Sequence, residues 1–293
     1  MSAIDVLAFY PWTFVSLVGL IGLLVGSFLN VVIYRLPVMM QRDGESQARA
    51  FLGFDDGSPG EVFNLAYPPS RCPGCTHKIR SWENIPLLSW AVLRGKCSSC
   101  NVPISARYPI IELAAGVLST LVALKCGYSL ACVFALFLMW ACIALFMIDV
   151  DHMLLPDSIV MPGIWVGLCA GYFGLFTSLQ NSFIGAVAGY LSFAIPAWLF
   201  TRLCGRDAMG AGDYKLMALF GAWLGWQMLP LIFLVSTVTA AIVGLTLARK
   251  RGGAFAFGPF IIIAGLVALF FGRDLSMWYF QANGLSIGAT FFD

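Results

Sequence analysis

Charge is what this sequence has least of. Its 15 acidic and 17 basic residues make up 11% of 293 positions, against about a quarter in a soluble domain. With 60% apolar residues and a mean hydropathy of +0.86, that scarcity excludes an ordinary globular domain and a disordered chain alike. Glycine has no triplet period, and nine cysteines are too thinly spread for a small disulfide scaffold. No basic residue precedes the apolar run from Trp12 to Ile33, only Asp5, so the positive stretch that opens a cleavable signal peptide is missing. An uncleaved helix with its N-terminus outside is expected there. Catalytic equipment is sparse too. There are two histidines, His77 and His152, no Gly-x-Ser-x-Gly elbow and no His-Glu-x-x-His. Those absences argue against a serine or cysteine triad and a zinc metalloprotease helix.

What the chain has in quantity is apolar helix. Crossing about 30 Å of hydrocarbon takes roughly 20 apolar residues. Counted this way, the sequence predicts an all-α polytopic membrane protein with about eight transmembrane helices, near 12–34, 108–125, 129–148, 158–176, 182–203, 214–228, 231–248 and 257–273. The sixth is short and glycine-broken, and is expected to enter part-way or lean on its neighbours. Nine of the 17 basic residues (Arg35, Arg42, Arg49, Arg71, Lys78, Arg80, Arg94, Lys96, Arg107) lie between the first two apolar stretches, which the positive-inside rule assigns to the cytoplasm. Arg202 and Arg206 after the fifth helix, and Arg249, Lys250 and Arg251 after the seventh, then fall on the same side. The expected organisation is a first transmembrane helix within 1–36, a cytoplasmic domain at 37–106, a membrane domain at 107–273 and an outer tail at 274–293. Trp278, Tyr279 and Phe280 suit that tail to anchor at the interface. No internal repeat of the transporter kind is evident.

The cytoplasmic segment carries Cys72-Pro-Gly-Cys75 and, after 21 residues, Cys97-Ser-Ser-Cys100. Two such knuckles are the ligand set of a tetrahedral zinc ribbon inserted between the first two helices. A reducing cytosol disfavours two disulfides, and a dithiol redox pair needs only one motif. Four thiolates leave no open position for water, so the zinc reads as structural. His77, beside Cys75, is an alternative ligand but reads better as a surface histidine. Cys126, Cys132, Cys142, Cys169 and Cys204 have no pairing spacing and read as small helix-packing residues.

Acidic residues in membrane helices are informative because each ionised carboxylate there costs about 2.5 to 3.5 kcal/mol even on a lenient scale. Glu112, Asp149, Asp151, Asp157 and Asp213 all fall in or at the ends of expected helices on the cytoplasmic side. Asp149 and Asp151 are about 200° apart around a helix, so at most one faces a given neighbour. Asp157 reads as an N-cap. Gly210-Ala-Gly212-Asp213 reads by itself as a glycine turn and cap. Two carboxyls from different helices at one depth, however, can share one proton and activate water directly.

Together these residues carry a resemblance. Gly26-Ser-Phe-Leu-Asn30-Val-Val-Ile-Tyr-Arg35-Leu-Pro37, the two knuckles with Ile85-Pro-Leu-Leu-Ser-Trp90 between them, Arg107-Tyr-Pro-Ile-Ile-Glu112-Leu, Asp149 to Asp157, Gly210 to Lys215 and Phe257-Gly-Pro259 occur in one order along nearly the whole chain. In this the sequence resembles the type IV prepilin peptidases. The Gly-x-Gly-Asp pattern is also similar to presenilin-like intramembrane aspartyl proteases, which lack the zinc-ribbon insertion. The resemblance implies Asp149 and Asp213 as catalytic residues in a bacterial inner-membrane enzyme with its N-terminus and tail in the periplasm. It implies type IV prepilins and type II secretion pseudopilins as substrates, cut after a glycine that ends a short basic leader. It further implies N-methylation of the new N-terminal residue by S-adenosylmethionine. That cofactor's site has no residues assigned, and no Gly-x-Gly-x-x-Gly after a strand offers one. Asp43, Glu45, Asp55, Asp56, Glu61 and Glu83 are candidate attractors of a basic leader. Membrane lipids are expected as surroundings and nucleic acid is not expected as a partner. The alternatives are a presenilin-like protease of another substrate class, or a membrane transporter or scaffold whose acids form an ion path.

Overall fold

The computed structural model describes residues 11–54, 62–206, 209–251 and 256–282. Its regular elements are α1 (Pro11–Phe51), a 3-10 turn (Ser81–Asn84), α2 (Leu88–Val92), α3 (Arg107–Cys126), α4 (Leu130–His152), α5 (Asp157–Tyr172), α6 (Leu179–Cys204), α7 (Ala211–Leu224), a second 3-10 turn (Trp226–Met228), α8 (Leu229–Arg251) and α9 (Gly258–Ala282). Among the described residues there is no strand, only two isolated β-bridges. Among the described residues six segments are long and apolar enough to cross a membrane: Pro11–Phe51, Arg107–Cys126, Leu130–His152, Leu179–Cys204, Trp226–Leu245 and Gly258–Tyr279. Helices α5 and α7, at 16 and 14 residues, are shorter. The chain divides into two compact units, Met1–Tyr128 and Ser129–Asp293, a division that falls inside the stretch expected as one membrane domain.

In the first unit α1 packs along α3 through small residues. A Cβ on Gly22 would lie 2.5 Å from the Ser119 hydroxyl, and one on Gly26 would lie 2.7 Å from the Glu112 Cα. This is the close backbone approach that glycine and serine permit between apolar helices. Helix α1 does not stop at the expected membrane edge. It runs on to Phe51, and from Met40 to Phe51 every residue is exposed. Gln41 to Ala50 is rich in Gln, Arg, Glu and Ala, good helix formers that need no partner surface. Arg35, buried on this helix, donates to the carbonyls of Asn64 at 2.9 Å and Pro68 at 2.6 Å, tying the segment after residue 61 to α1.

The second unit is built around its shortest long helix. In α7, Leu216, Met217, Leu219, Phe220 and Ala222 have no exposure. The backbones of Gly185 on α6 and Gly221 on α7 meet with no room for a side chain on either. On α5, Gly167 faces Trp223, whose indole N–H donates to the Gly163 carbonyl at 2.8 Å. The Ser182 hydroxyl of α6 donates to the Ala222 carbonyl. Enclosure explains how a helix too short to span alone stays apolar: from Leu216 to Trp223 it faces protein on all sides. Helix α9 runs to Ala282 and includes Trp278 and Tyr279, so helix continues into the expected tail. Residues 1–10 with Asp5, 55–61 with Asp55, Asp56 and Glu61, and 283–293 lie outside the described residues.

Candidate active site and metal centre

The two cysteine knuckles repeat one local geometry. In the first, the Thr76 N–H bonds the Cys72 carbonyl and the Cys72 N–H bonds that of His77. In the second, Asn101 bonds Cys97, and Cys97 bonds Val102. Thr76 and Asn101 both take positive φ, 56° and 58°, and each knuckle is flanked by one β-bridge, Arg71 to Lys78 and Lys96 to Pro103. Each turn curls its backbone so that its two thiols point the same way. The four Sγ atoms lie within 4.8 Å of one another, with Cys72 to Cys100 at 3.7 Å and Cys75 to Cys97 at 4.0 Å. A tetrahedron of thiolates about 2.3 Å from zinc has edges of about 3.8 Å, so the donor set fits that ion. Backbone N–H groups of Cys100 and Ser99 hold the Cys97 thiol down, to about 6, whereas Cys100, despite the Val102 N–H beside it, is pushed up to about 12 by the crowded thiols of Cys75, Cys97 and Cys72.

One carboxylate links the knuckles. Glu83 accepts the Arg80 N–H at 2.8 Å and the Ser98 hydroxyl at 2.5 Å, which hold it below the ordinary carboxylate range. His77, expected at the surface, is half-buried with Nε2 at 3.6 Å from Glu83. Glu83 therefore faces the ribbon and not solvent, its side chain 5% exposed, which removes it from the acids free to attract a leader. Asp43 and Glu45 do sit on the exposed end of α1. Glu112, buried on α3, accepts the N–H of Leu87, a residue at φ 60°, at 2.9 Å. Its role there is to satisfy the turn that contains Ile85 to Leu88.

In the second unit, the four acids singled out in the sequence sort by burial. Asp149, in the last turn of α4, is 4% exposed, whereas Asp151 is exposed, so the 200° separation is resolved with Asp149 inward. Met153 closes α4 in the left-handed conformation, its N–H on the Asp149 carbonyl. Asp213 lies in the first turn of α7, 9% exposed. Neither acid expected to cap a helix does so. Gly210 is the N-cap of α7 with Asp213 inside the helix, and Pro156 is the N-cap of α5. Asp157 is instead the first residue of α5, where both its oxygens take the Lys215 ammonium, at 2.8 and 2.7 Å.

Asp149 and Asp213, 64 positions apart in sequence, are brought to one end of the unit by shared packing around Leu155. Leu155 shows how they meet. A Cβ on Gly212, the residue before Asp213, would lie 2.9 Å from the Leu155 Cβ. One on Gly258, at the start of α9, would lie 2.5 Å from the Asp149 Oδ2 and 3.3 Å from Leu155 Cδ1. The end of α4, the 153–156 connection and the starts of α7 and α9 thus converge, with two helix N-termini bringing positive partial charge to the carboxyls. The Oδ2 of Asp149 is buried, with the backbone at Gly258 as its polar neighbour. Sequence reasoning missed Gly258 as a wall of this site, although Phe257-Gly-Pro259 contained it, and missed the Asp157 to Lys215 pair.

This defines an all-helical membrane protein with a four-thiol cluster able to hold a metal ion in one unit and two buried carboxyls in the other. Residues 20–126 match the profile of the Bacterial Peptidase A24 N-terminal domain and residues 136–245 that of the Type IV leader peptidase family. A prepilin leader peptidase/N-methyltransferase of Stutzerimonas stutzeri is 51% identical over 285 residues, covering 96% of this chain and 99% of the relative. That of Pseudomonas aeruginosa is 47% identical over 288 residues, with 97% and 99% covered. That of Legionella pneumophila is 42% identical over 274 residues, with 92% and 96% covered. No solved structure matches. The chain belongs to the type IV leader peptidase family.

Proposed function

We propose that this chain removes the basic leader from type IV prepilins and type II secretion pseudopilins at the cytoplasmic face of the bacterial inner membrane, and then N-methylates the new N-terminal residue from S-adenosylmethionine. The carrying observation for cleavage is that two buried carboxyls, Asp149 at the end of α4 and Asp213 at the start of α7, converge around Leu155 and the start of α9. Two such groups hold one proton between them. The ionised member takes a proton from water, the protonated member donates to the scissile carbonyl oxygen, and water adds to give a tetrahedral intermediate. Return of a proton to the departing amine breaks the peptide bond. No covalent acyl-enzyme forms.

The reading takes α1 and α3 to α9 as the eight membrane helices. At 1.5 Å per residue α5 and α7 are only about 24 and about 21 Å long, which buried positions and local thinning accommodate. The basic segment between α1 and α3 sets the orientation, with the N-terminus periplasmic and the substrate's own basic leader retained in the cytosol by the same rule. Zinc at Cys72, Cys75, Cys97 and Cys100 would fix the ribbon, and all four positions being thiolate leaves it no catalytic role. For S-adenosylmethionine the described residues build no doubly wound cofactor domain.

Incubating the detergent-solubilised chain with a purified prepilin, with and without S-adenosylmethionine, tests both activities. Mass spectrometry should find the leader removed in both samples and a single added methyl on the new N-terminus only where the donor is present. An intact prepilin would refute the peptidase, and an unmethylated product with the donor would refute the transferase.

A further inference from the structure

Lys215 lies two residues beyond Asp213 in the first turns of α7, and Asp157 opens α5 directly after the connection that leaves Asp149. Their side chains join end-on, with the ammonium 2.8 Å from one carboxylate oxygen and 2.7 Å from the other. The pair is open to its surroundings, 29% exposed on the lysine side and 60% on the aspartate side. Exposed ion pairs contribute little to global stability, so stability is a weak account of it. Its position is more informative. Asp213 and Asp149 stand on helices that share no covalent neighbourhood. The chain leaves α4 through Met153, Leu154, Leu155 and Pro156, and reaches Asp157 in those four residues. Gly212 packs on Leu155 from the other side. A contact between residues 157 and 215 therefore closes a short ring: Asp149, the 153–156 connection, Asp157, Lys215, Asp213.

We propose that Asp157 and Lys215 form a positioning clasp that fixes the start of α7 against the start of α5, and so sets the spacing of the Asp149 and Asp213 carboxyls. The inference rests on the dyad reading given above. It assigns neither residue a contact with substrate. Two carboxyls that must share one proton tolerate little error in separation, and misplacement of about 1 Å in a catalytic geometry costs up to roughly a hundredfold in rate. Opening the clasp leaves Gly212 and Leu155 packed but frees the first turn of α7 to shift.

Steady-state cleavage of a prepilin by purified full-length variants tests this. Lys215→Met and Asp157→Asn should each lower kcat roughly ten- to a hundredfold with KM unchanged within about twofold. The double variant should be no slower than the slower single, because the second substitution removes an interaction already lost. Lys215→Arg should keep at least about a third of kcat, since a guanidinium also engages both carboxylate oxygens. Wild-type kcat in either neutral single, or losses that multiply in the double, would overturn the clasp. So would a raised KM at constant kcat, which would make Asp157 a contact for the basic leader. Failure of both neutral variants to accumulate in membranes would overturn it as well, because the pair would then hold the fold and not aim the acid. Asp213→Asn in the same assay separates the two claims. Cleavage by that variant would end the dyad reading, whereas an inert Asp213→Asn beside a fully active Lys215→Met would end only the clasp.

Discussion

Gly258→Ala is the smallest change that reaches the proposed dyad without touching either carboxyl. Gly258 is the first residue of α9 and its φ is not positive, so alanine fits the backbone. By itself such a replacement stabilises a chain by about 0.4 to 1 kcal/mol through the unfolded state. The new methyl, however, would sit 2.5 Å from the Asp149 Oδ2 and 3.3 Å from the Leu155 Cδ1. Ordinary contact lies near 3.5 Å, so the carboxylate must retreat by about 1 Å or α9 must move away. A displacement of that size at reacting atoms costs up to roughly a hundredfold in kcat, while overpacking of this kind costs about 1 to 3 kcal/mol in stability. The account therefore expects the variant to accumulate in membranes yet cleave prepilin some ten- to a hundredfold more slowly. Initial rates against a purified prepilin, with Gly44→Ala as the control at a site with nothing within 4 Å, would measure it. Native kcat in Gly258→Ala would show that the Asp149 carboxyl does not need its present position, and the reasoning would fail there.

Further outcomes follow from other contacts. Gly221→Ala drives a methyl into the Gly185 backbone, a clash that no side-chain rotation relieves, so it should cost about 1 to 3 kcal/mol or more, as overpacking does; an unchanged thermal midpoint in detergent would contradict that packing. Cys97→Ser should lower bound zinc and the yield of folded protein together; a zinc-free, stable and fully active variant would refute the structural metal. Glu112→Ala leaves the Leu87 N–H without its acceptor, a loss of about 1 to 3 kcal/mol, read as protease sensitivity of the 81–106 segment with cleavage chemistry retained.

Much of this molecule is legible in its sequence because the bilayer narrows the choices. Long apolar runs must be helices, so the spans beginning near Pro11, Arg107, Leu130, Leu179, Trp226 and Gly258 announce themselves. Helix ends in water are another matter. Nothing apolar stops α1 at residue 36, and its continuation to Phe51 rests on local propensity alone. The knuckles are equally readable, since Cys-x-x-Cys spacing fixes a local turn whatever surrounds it. Burial of Asp149 over Asp151 was open in sequence, because periodicity gives the angle between two residues and not which one faces inward. The Asp157 to Lys215 pair and the Gly258 wall depend on contacts across 58 and 109 positions of chain, and no local pattern encodes them. Asp157 illustrates the cost of local reasoning: an acid before an apolar run has the composition of a cap, but a distant lysine claimed it first.

The central claim is tested most directly by the cleavage rates of Asp149→Asn and Asp213→Asn, each purified with its zinc content and membrane accumulation checked, against one prepilin. Asparagine keeps the size of the side chain and removes its ability to exchange a proton. The account predicts no processed pilin from either variant and unaltered zinc in both. Leader removal at near-native rate by either one would mean that a single carboxyl suffices, and the shared-proton mechanism would have to be abandoned.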